Sequence, residues 1–108
     1  MNPGTIRATG AAANAQFAAL TEPPTALDVV LRAVRKERAR QEKLHGPKTC
    51  ASSGLPTPIK LAVLTKEVGE VAKWICEHWG TVVETDDLRA ELIQVAAVAV
   101  AWAESLTD

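Results

Sequence analysis

Apolar residues recur at helical spacing in three separate stretches of this chain. In the first stretch they lie three or four positions apart, which places them on one face of an α-helix. Thr25 is a suitable N-cap residue, and a Gly-Pro pair interrupts the pattern after the last turn. The sequence therefore predicts a first helix from Thr25 or Ala26 to Leu44. Its apolar face consists of Leu27, Leu31 and Val34.

A second stretch shows the same spacing after residues 45–57, which are rich in Gly, Pro and Ser and predict a loop. We expect this loop to lie beside any functional site. We also expect Thr57 to cap the second helix, Pro58 to occupy its first helical position and Gly80 to end it. The apolar stripe of this helix consists of Leu61, Leu64, Val68, Val71 and Ile75.

The third stretch is the most apolar of the three. We expect Thr85 to cap a helix that reaches about Leu106, with Asp86 and Asp87 at the positive end of the helix dipole. Residues 95–103 of this helix are wholly apolar. A helix that is apolar almost all round must be covered on several sides, so the sequence predicts a homo-oligomer.

The first 24 residues differ from the rest because they are small, weakly polar and interrupted by Gly and Pro. They predict a flexible or partly helical N-terminal arm at 1–24, followed by one helical domain at 25–108. A chain of 108 residues suits a single domain, and no β-alternation of useful length occurs. The expected fold is all-α, an antiparallel helical bundle completed by homo-oligomerisation.

The composition of the chain argues against several classes of partner and site. The 12 basic and 13 acidic residues give a formal net charge of −1, which argues against a nucleic-acid partner. Cys50 and Cys76 accompany no secretory segment and no paired-cysteine metal spacing, so reduced thiols are expected. No apolar run is long enough for a membrane span, and we expect a cytoplasmic protein without a membrane partner.

Carboxylates lie at helical spacing in the second and third helices. Glu67 and Glu70 are three positions apart, as are Glu91 and Gln94, so each pair projects from one face. If the two helices pack antiparallel, four oxygen-bearing side chains meet, and oxygen is the ligand that Mg²⁺ prefers. The alternative is that these are ordinary solvated helix residues, which on spacing alone is the commoner case.

The apolar face of the first helix becomes polar midway, where Arg38, Gln41 and His45 continue the line of Val34. Polar groups on a core-facing line need partners, and a bound nucleotide would supply them. Alternatively, the helix projects past the bundle and these residues lie in solvent. The same segment is basic, and Lys43 is among the groups that suit phosphate oxygens.

Three segments together resemble the MazG-like NTP pyrophosphohydrolases. The sequence LTKEVGEVA at 64–72 resembles the motif in which two adjacent Glu precede a third, three residues on. The sequence LRAELIQV at 88–95 is similar to the Glu-x-x-Asp motif of that family. The sequence ERARQEK at 37–43, with Gly46, is similar to the ERxRQ…G segment that precedes those motifs. The three matches are in order and cover about residues 30–106.

The resemblance implies an all-α fold that assembles as dimers or tetramers. It also implies Mg²⁺-dependent cleavage of an NTP or dNTP to the monophosphate and pyrophosphate, a reaction suited to house-cleaning of the nucleotide pool. Carried over by position, it makes Glu67 and Glu70 the catalytic candidates. The implied metal ligands are Glu67, Glu70, Glu91 and Gln94, and the candidate substrate-binding residues are Arg38, Gln41, Lys43 and Lys66.

Two positions depart from the family motif. Lys66 replaces the first Glu and Gln94 replaces the Asp, so only three acidic positions remain. Gln94 still offers an amide oxygen to a metal, and Lys66 offers an ammonium group to a phosphate. These departures keep two alternatives open: a non-catalytic module of the MazG-like type that binds nucleotide or metal, and a structural helical adaptor.

Overall fold

The computed structural model describes residues 22–79 and 85–108, apart from the side chain of Thr85. Helix α1 spans Ala26–His45, a short 3₁₀ helix spans Gly46–Lys48, α2 spans Thr57–Glu77 and α3 spans Thr85–Ser105. These ranges contain no strand, so the prediction of an all-α fold is confirmed for the described part of the chain. The expected arm at 1–24 falls almost wholly outside the described residues and stays a prediction.

Helix α1 begins as expected, because a capping box closes its first turn. The amide of Asp28 donates to Thr25 Oγ1 at 3.1 Å, and Asp28 Oδ2 accepts from the amide of Thr25 at 3.0 Å. The helix continues one residue beyond the predicted end, since the amide of Gly46 still donates to the carbonyl of Glu42. Gly46 has a φ of 50°, a conformation that glycine adopts without strain, and it ends the helix.

Helix α2 begins one residue earlier than the sequence predicted. The amides of Ile59 and Lys60 both donate to the carbonyl of Pro56, so Pro56 is the cap and Thr57 is the first helical residue. The prediction that the side chain of Thr57 caps this helix was therefore wrong. Helix α2 ends at Glu77 with His78 as its C-cap, so it ends before Gly80, which was expected to end it. Helix α3 begins at Thr85, so Thr85 is its first helical residue and not the cap that was expected.

Helix α3 packs against both α1 and α2. Its small residues Ala97, Val98 and Ala101 are buried, and they form the core together with Val34 of α1 and Cys50 of the loop. Many larger apolar side chains are half exposed or more in the single chain. They include Leu27, Leu31, Leu61, Val68 and Leu92. None of the helices in the described ranges is long and apolar enough to cross a membrane.

Candidate functional site

A cleft of about 260 Å³ lies where the three helices and the loop after α1 meet. Most of the side chains that line it are polar or charged, which suits a polar or charged ligand better than an apolar one. Its walls consist of Glu37, Arg40, Gln41 and His45 of α1, Lys48, Thr49 and Cys50 of the loop, Val63, Lys66 and Glu67 of α2, and Gln94 and Val98 of α3.

The cleft brings together candidate residues that are far apart in the sequence. Gln41, Lys66, Glu67 and Gln94 all line it, although they come from three different helices. Gln41, Glu67 and Gln94 are half-buried, whereas Lys66 is exposed. If these four residues only belonged to separate solvated helix faces, there would be no reason for them to line the same cleft.

Glu67 is in an unfavourable electrostatic environment. Burial raises the pKa of its carboxyl above the usual value, and the neighbouring carboxylates of Glu91, Glu70 and Glu37 raise it further, while Lys66 opposes them. Burial, the largest of these causes, and the three carboxylates together outweigh the attraction of Lys66. A bound cation would relieve the repulsion.

Glu70 and Glu91 are near this region without lining the cleft itself. Glu91 is half-buried and Glu70 is exposed. Within residues 22–79 and 85–108, no group of three or more His, Cys, Asp or Glu side chains is arranged to hold a metal ion. Mg²⁺ usually binds through one or two carboxylates together with water and substrate phosphates. The described residues therefore form no metal cage of their own, and a cation here would need further ligands from water or phosphate.

Glu37 and Arg40 line the cleft, although neither was among the candidate site residues. Arg40 Nε and Nη2 donate to the two oxygens of Glu37 at 2.8 and 2.7 Å, and Gln41 Nε2 donates to Glu37 Oε2 at 3.3 Å. The hydrogen bonds from Arg40 hold the pKa of Glu37 below its usual value. The three-residue spacing of Glu37 and Arg40 was the signal that could have revealed the pair.

The loop contributes Lys48, Thr49 and Cys50 to the cleft wall, so it does lie beside the site. Cys50 is only 4% exposed, and burial raises the pKa of its thiol, which leaves a poor nucleophile. Lys48 is exposed and provides an ammonium group at the opening. Neither Lys48 nor Thr49 could be placed from the sequence, because the loop has no periodic pattern.

Two candidate substrate-binding residues of α1 lie apart from the cleft. Arg38 is buried, and its guanidinium donates to Glu104 and to Glu42. Lys43 is exposed and does not line the cleft. The candidate substrate-binding residues therefore form two groups: Gln41 and Lys66 line the cleft, whereas Arg38 and Lys43 do not.

Comparison with protein-family models, curated proteins and solved structures found no match for this chain. What the site can do chemically therefore follows from its own residues. Carboxylate and amide oxygens can bind a hard cation, and ammonium and amide groups can bind phosphate oxygens. Both kinds of group are present in and around this cleft.

Proposed function

We propose that this protein is a Mg²⁺-dependent nucleoside triphosphate pyrophosphohydrolase of the MazG-like type, which cleaves an NTP or dNTP to the monophosphate and pyrophosphate. The observation that supports it most is the meeting of three motif-like segments at one cleft. Gln41 comes from the ERARQ segment, Glu67 from KEVGE and Gln94 from ELIQ. Each motif thus contributes a polar side chain to the same place.

The residues that would hold Mg²⁺ are Glu67, Glu70 and Glu91, with the amide oxygen of Gln94 as a further donor. When bound, the ion neutralises phosphate charge and lowers the pKa of a water ligand. The raised pKa of Glu67 supports this assignment, because a carboxylate destabilised by its neighbours gains most from a nearby cation. With only three acidic positions, we expect fewer ions than a full motif would bind.

The chain's own residues then position the nucleotide and the attacking water. Glu67 orients the water that attacks the α-phosphorus by accepting a hydrogen bond from it. Glu70 helps to orient the same water. Lys66 offers a positive charge to the phosphates, and Gln41, already held by Glu37, hydrogen-bonds the phosphates or the base.

The working form in this proposal is a homodimer or tetramer. In the single chain Leu61, Val68 and Leu92 are about half exposed, at 54%, 50% and 50%. Side chains of this size on two packed helices favour association with a second copy, which would bury them. Sedimentation or light scattering that finds only a monomer at micromolar concentration would contradict this part.

The proposal is tested by incubating the pure protein with each NTP and dNTP in the presence of Mg²⁺ and measuring pyrophosphate and monophosphate. We expect release from at least one nucleotide and none in EDTA. Glu67→Gln should reduce the rate by roughly a hundredfold or more, since it removes a carboxylate that would both hold Mg²⁺ and orient the attacking water. Glu77→Gln is the matched control, because Glu77 lies on the same helix, is exposed and does not line the cleft. A folded sample that releases no pyrophosphate from any nucleotide excludes the activity.

A second candidate function is nucleotide or metal binding without turnover. It is favoured by Lys66 and Gln94, which reduce the negative charge around the cleft, and by the absence of an acidic metal cluster among the described residues. Calorimetric binding of a nucleotide without hydrolysis, abolished by Glu67→Ala, would support this function. A thermal stability indifferent to both Mg²⁺ and nucleotides would instead support a structural adaptor.

A further inference from the structure

A continuous chain of charged hydrogen bonds connects the end of α3 to the wall of the cleft. Arg38 Nε and Nη2 donate to the two oxygens of Glu104 at 2.8 and 3.0 Å. Nη2 also donates to Glu42 Oε1 at 2.9 Å, and the same oxygen accepts from Thr49 Oγ1 at 2.8 Å. Thr49 lines the cleft. The links run from Glu104 through Arg38 and Glu42 to Thr49.

The guanidinium nitrogens of Arg38 are either bound to carboxylates or buried. The residue is 8% exposed, and its remaining terminal nitrogen, Nη1, is buried without a hydrogen-bond partner among the described residues. The bonds from Arg38 lower the pKa of both Glu104 and Glu42, so the network stays ionised near neutral pH. A buried charge with two fixed carboxylate partners is confined to one geometry. Any effect of Arg38 on the cleft therefore passes through Glu42 and Thr49.

The loop that carries Thr49 is joined to α1 by this link. Residues 46–56 form local backbone bonds, such as Thr49 to Gly46 at 3.2 Å and Ser52 to Thr49 at 3.0 Å. In the described part of the chain, the bond from Thr49 to Glu42 is the one side-chain hydrogen bond between this loop and a helix. Cys50, next to Thr49, packs into the core against Val98 and Ala101. The bond from Thr49 to Glu42 thus joins this wall of the cleft to α1, and the packing of Cys50 joins it to α3.

We propose that Arg38 is a positioning residue which, with Glu104 and Glu42, holds the Thr49–Cys50 wall of the cleft in the conformation that binds the nucleotide. The role in nucleotide binding rests on the proposed function, whereas the placement of the wall does not. Arg38 then affects the substrate without touching it. This differs from the phosphate-binding role that the motif resemblance implied.

The position of the wall can be measured through Cys50, which is buried, whereas Cys76 is exposed. In the full chain with Cys76→Ser, Cys50 is the single thiol, and its alkylation by iodoacetamide is followed under native conditions. Thr49→Val removes the donor to Glu42 with little change in shape, and Thr49→Ser retains it. Thr107→Val is the control for a lost hydroxyl bond, since the Thr107 hydroxyl donates to the carbonyl of Ala103 and, among the described residues, makes no bond to the side chains of Arg38, Glu42 or Thr49.

We expect Cys50 to react about fivefold faster in Thr49→Val than in the parent, in line with the loss of one charge-assisted hydrogen bond. Thr49→Ser and Thr107→Val should stay within about twofold of the parent. Arg38→Lys keeps the charge but loses the bidentate geometry of the guanidinium. Its rate of Cys50 alkylation should therefore resemble that of Thr49→Val. Equal labelling rates in Thr49→Val and Thr49→Ser overturn the positioning role, even if Arg38→Lys does not fold.

Kinetics separate this inference from the proposed function. Thr49→Val should raise KM for the nucleotide about fivefold with kcat within about twofold, and Thr49→Ser should restore KM. A parent that hydrolyses nucleotides, with equal KM in the two variants, refutes the positioning role and leaves the proposed function standing. If no nucleotide is hydrolysed, the proposed function fails, and the Cys50 labelling rates alone decide whether the network holds the wall.

Discussion

The structure contains two groups of charges that differ in how they are balanced. Around Arg38 each carboxylate faces a guanidinium, and hydrogen bonds from Arg38 lower the pKa of Glu104 and Glu42. Around Glu67 the neighbours include other carboxylates, and burial with their repulsion raises its pKa. In the first group both carboxylates bind a guanidinium of the same chain, whereas the second would gain from a cation supplied from outside. Charge balance thus distinguishes a structural network from a candidate binding site.

Removing the Arg38 side chain should cause the largest loss of folding stability. Arg38→Ala leaves Glu104 and Glu42 without their shared cation and removes a buried side chain, so we expect a loss of roughly 2–3 kcal/mol in the free energy of unfolding. This estimate lies below that for a fully buried pair because Glu104 and Glu42 are partly exposed, at 49% and 45%. Urea denaturation measures the loss.

Arg40→Ala is the matched control for that variant. Arg40 also binds a carboxylate through two nitrogens, but its side chain is 55% exposed. We therefore expect a loss of about 1 kcal/mol or less, as for other solvent-exposed ion pairs. Equal losses in the two variants would mean that burial does not distinguish the Arg38 network from a surface pair.

Lowering the pH should change the contributions of the two groups to folding stability in opposite directions. The lowered pKa values of Glu104 and Glu42 give stability that is fully present above about pH 4.5 and is lost as the pH falls through their folded-state values. The raised pKa of Glu67 means that its ionised form destabilises the fold at neutral pH, and protonation relieves this cost as the pH falls. Thermal denaturation at several pH values measures both effects.

Glu67→Gln isolates the second effect, because glutamine keeps the size and removes the charge. At pH 7 we expect a Tm about 2–4 °C above that of the parent, and the difference should disappear below about pH 4.5, where the parent carboxyl is protonated in both states. A variant that is less stable than the parent at pH 7 would show that Glu67 is satisfied by a partner within the protein.

The smallest effect is expected at an exposed pair outside both groups. Lys73 and Glu77 lie 3.9 Å apart, and their side chains are 68% and 56% exposed. Glu77→Gln should change the free energy of unfolding by less than about 0.5 kcal/mol, because solvent screens such a contact. A larger loss by urea denaturation would show that proximity of opposite charges, without burial, is enough to stabilise this fold.

Features set by local sequence could be predicted, and features set by long-range contacts could not. Thr25 and Asp28 form the expected cap because both lie within one turn. The start of α2 was predicted one residue late, since the carbonyl of Pro56 rather than the hydroxyl of Thr57 closes the first turn. The pairing of Arg38 with Glu104 spans 66 positions, and no spacing rule indicates it.

The candidate site shows the same limit. Motif positions indicated Gln41, Glu67 and Gln94, and these residues do line one cleft. The motif could not indicate Thr49, because its placement depends on a bond to Glu42 that forms only after the loop folds back on α1. The exposed apolar residues of α3, such as Leu92, are consistent with the oligomer expected from the sequence, which stays a prediction.

The central claim is that the carboxylates around Glu67 bind a cation together with a triphosphate. Calorimetric titration of the full chain with a non-hydrolysable dNTP analogue, with and without Mg²⁺, tests it most directly. We predict that Mg²⁺ tightens binding at least about tenfold in the parent and in Glu77→Gln, and has little effect in Glu67→Gln. An affinity that is the same with and without Mg²⁺ in all three proteins, or no binding at all, would contradict the claim.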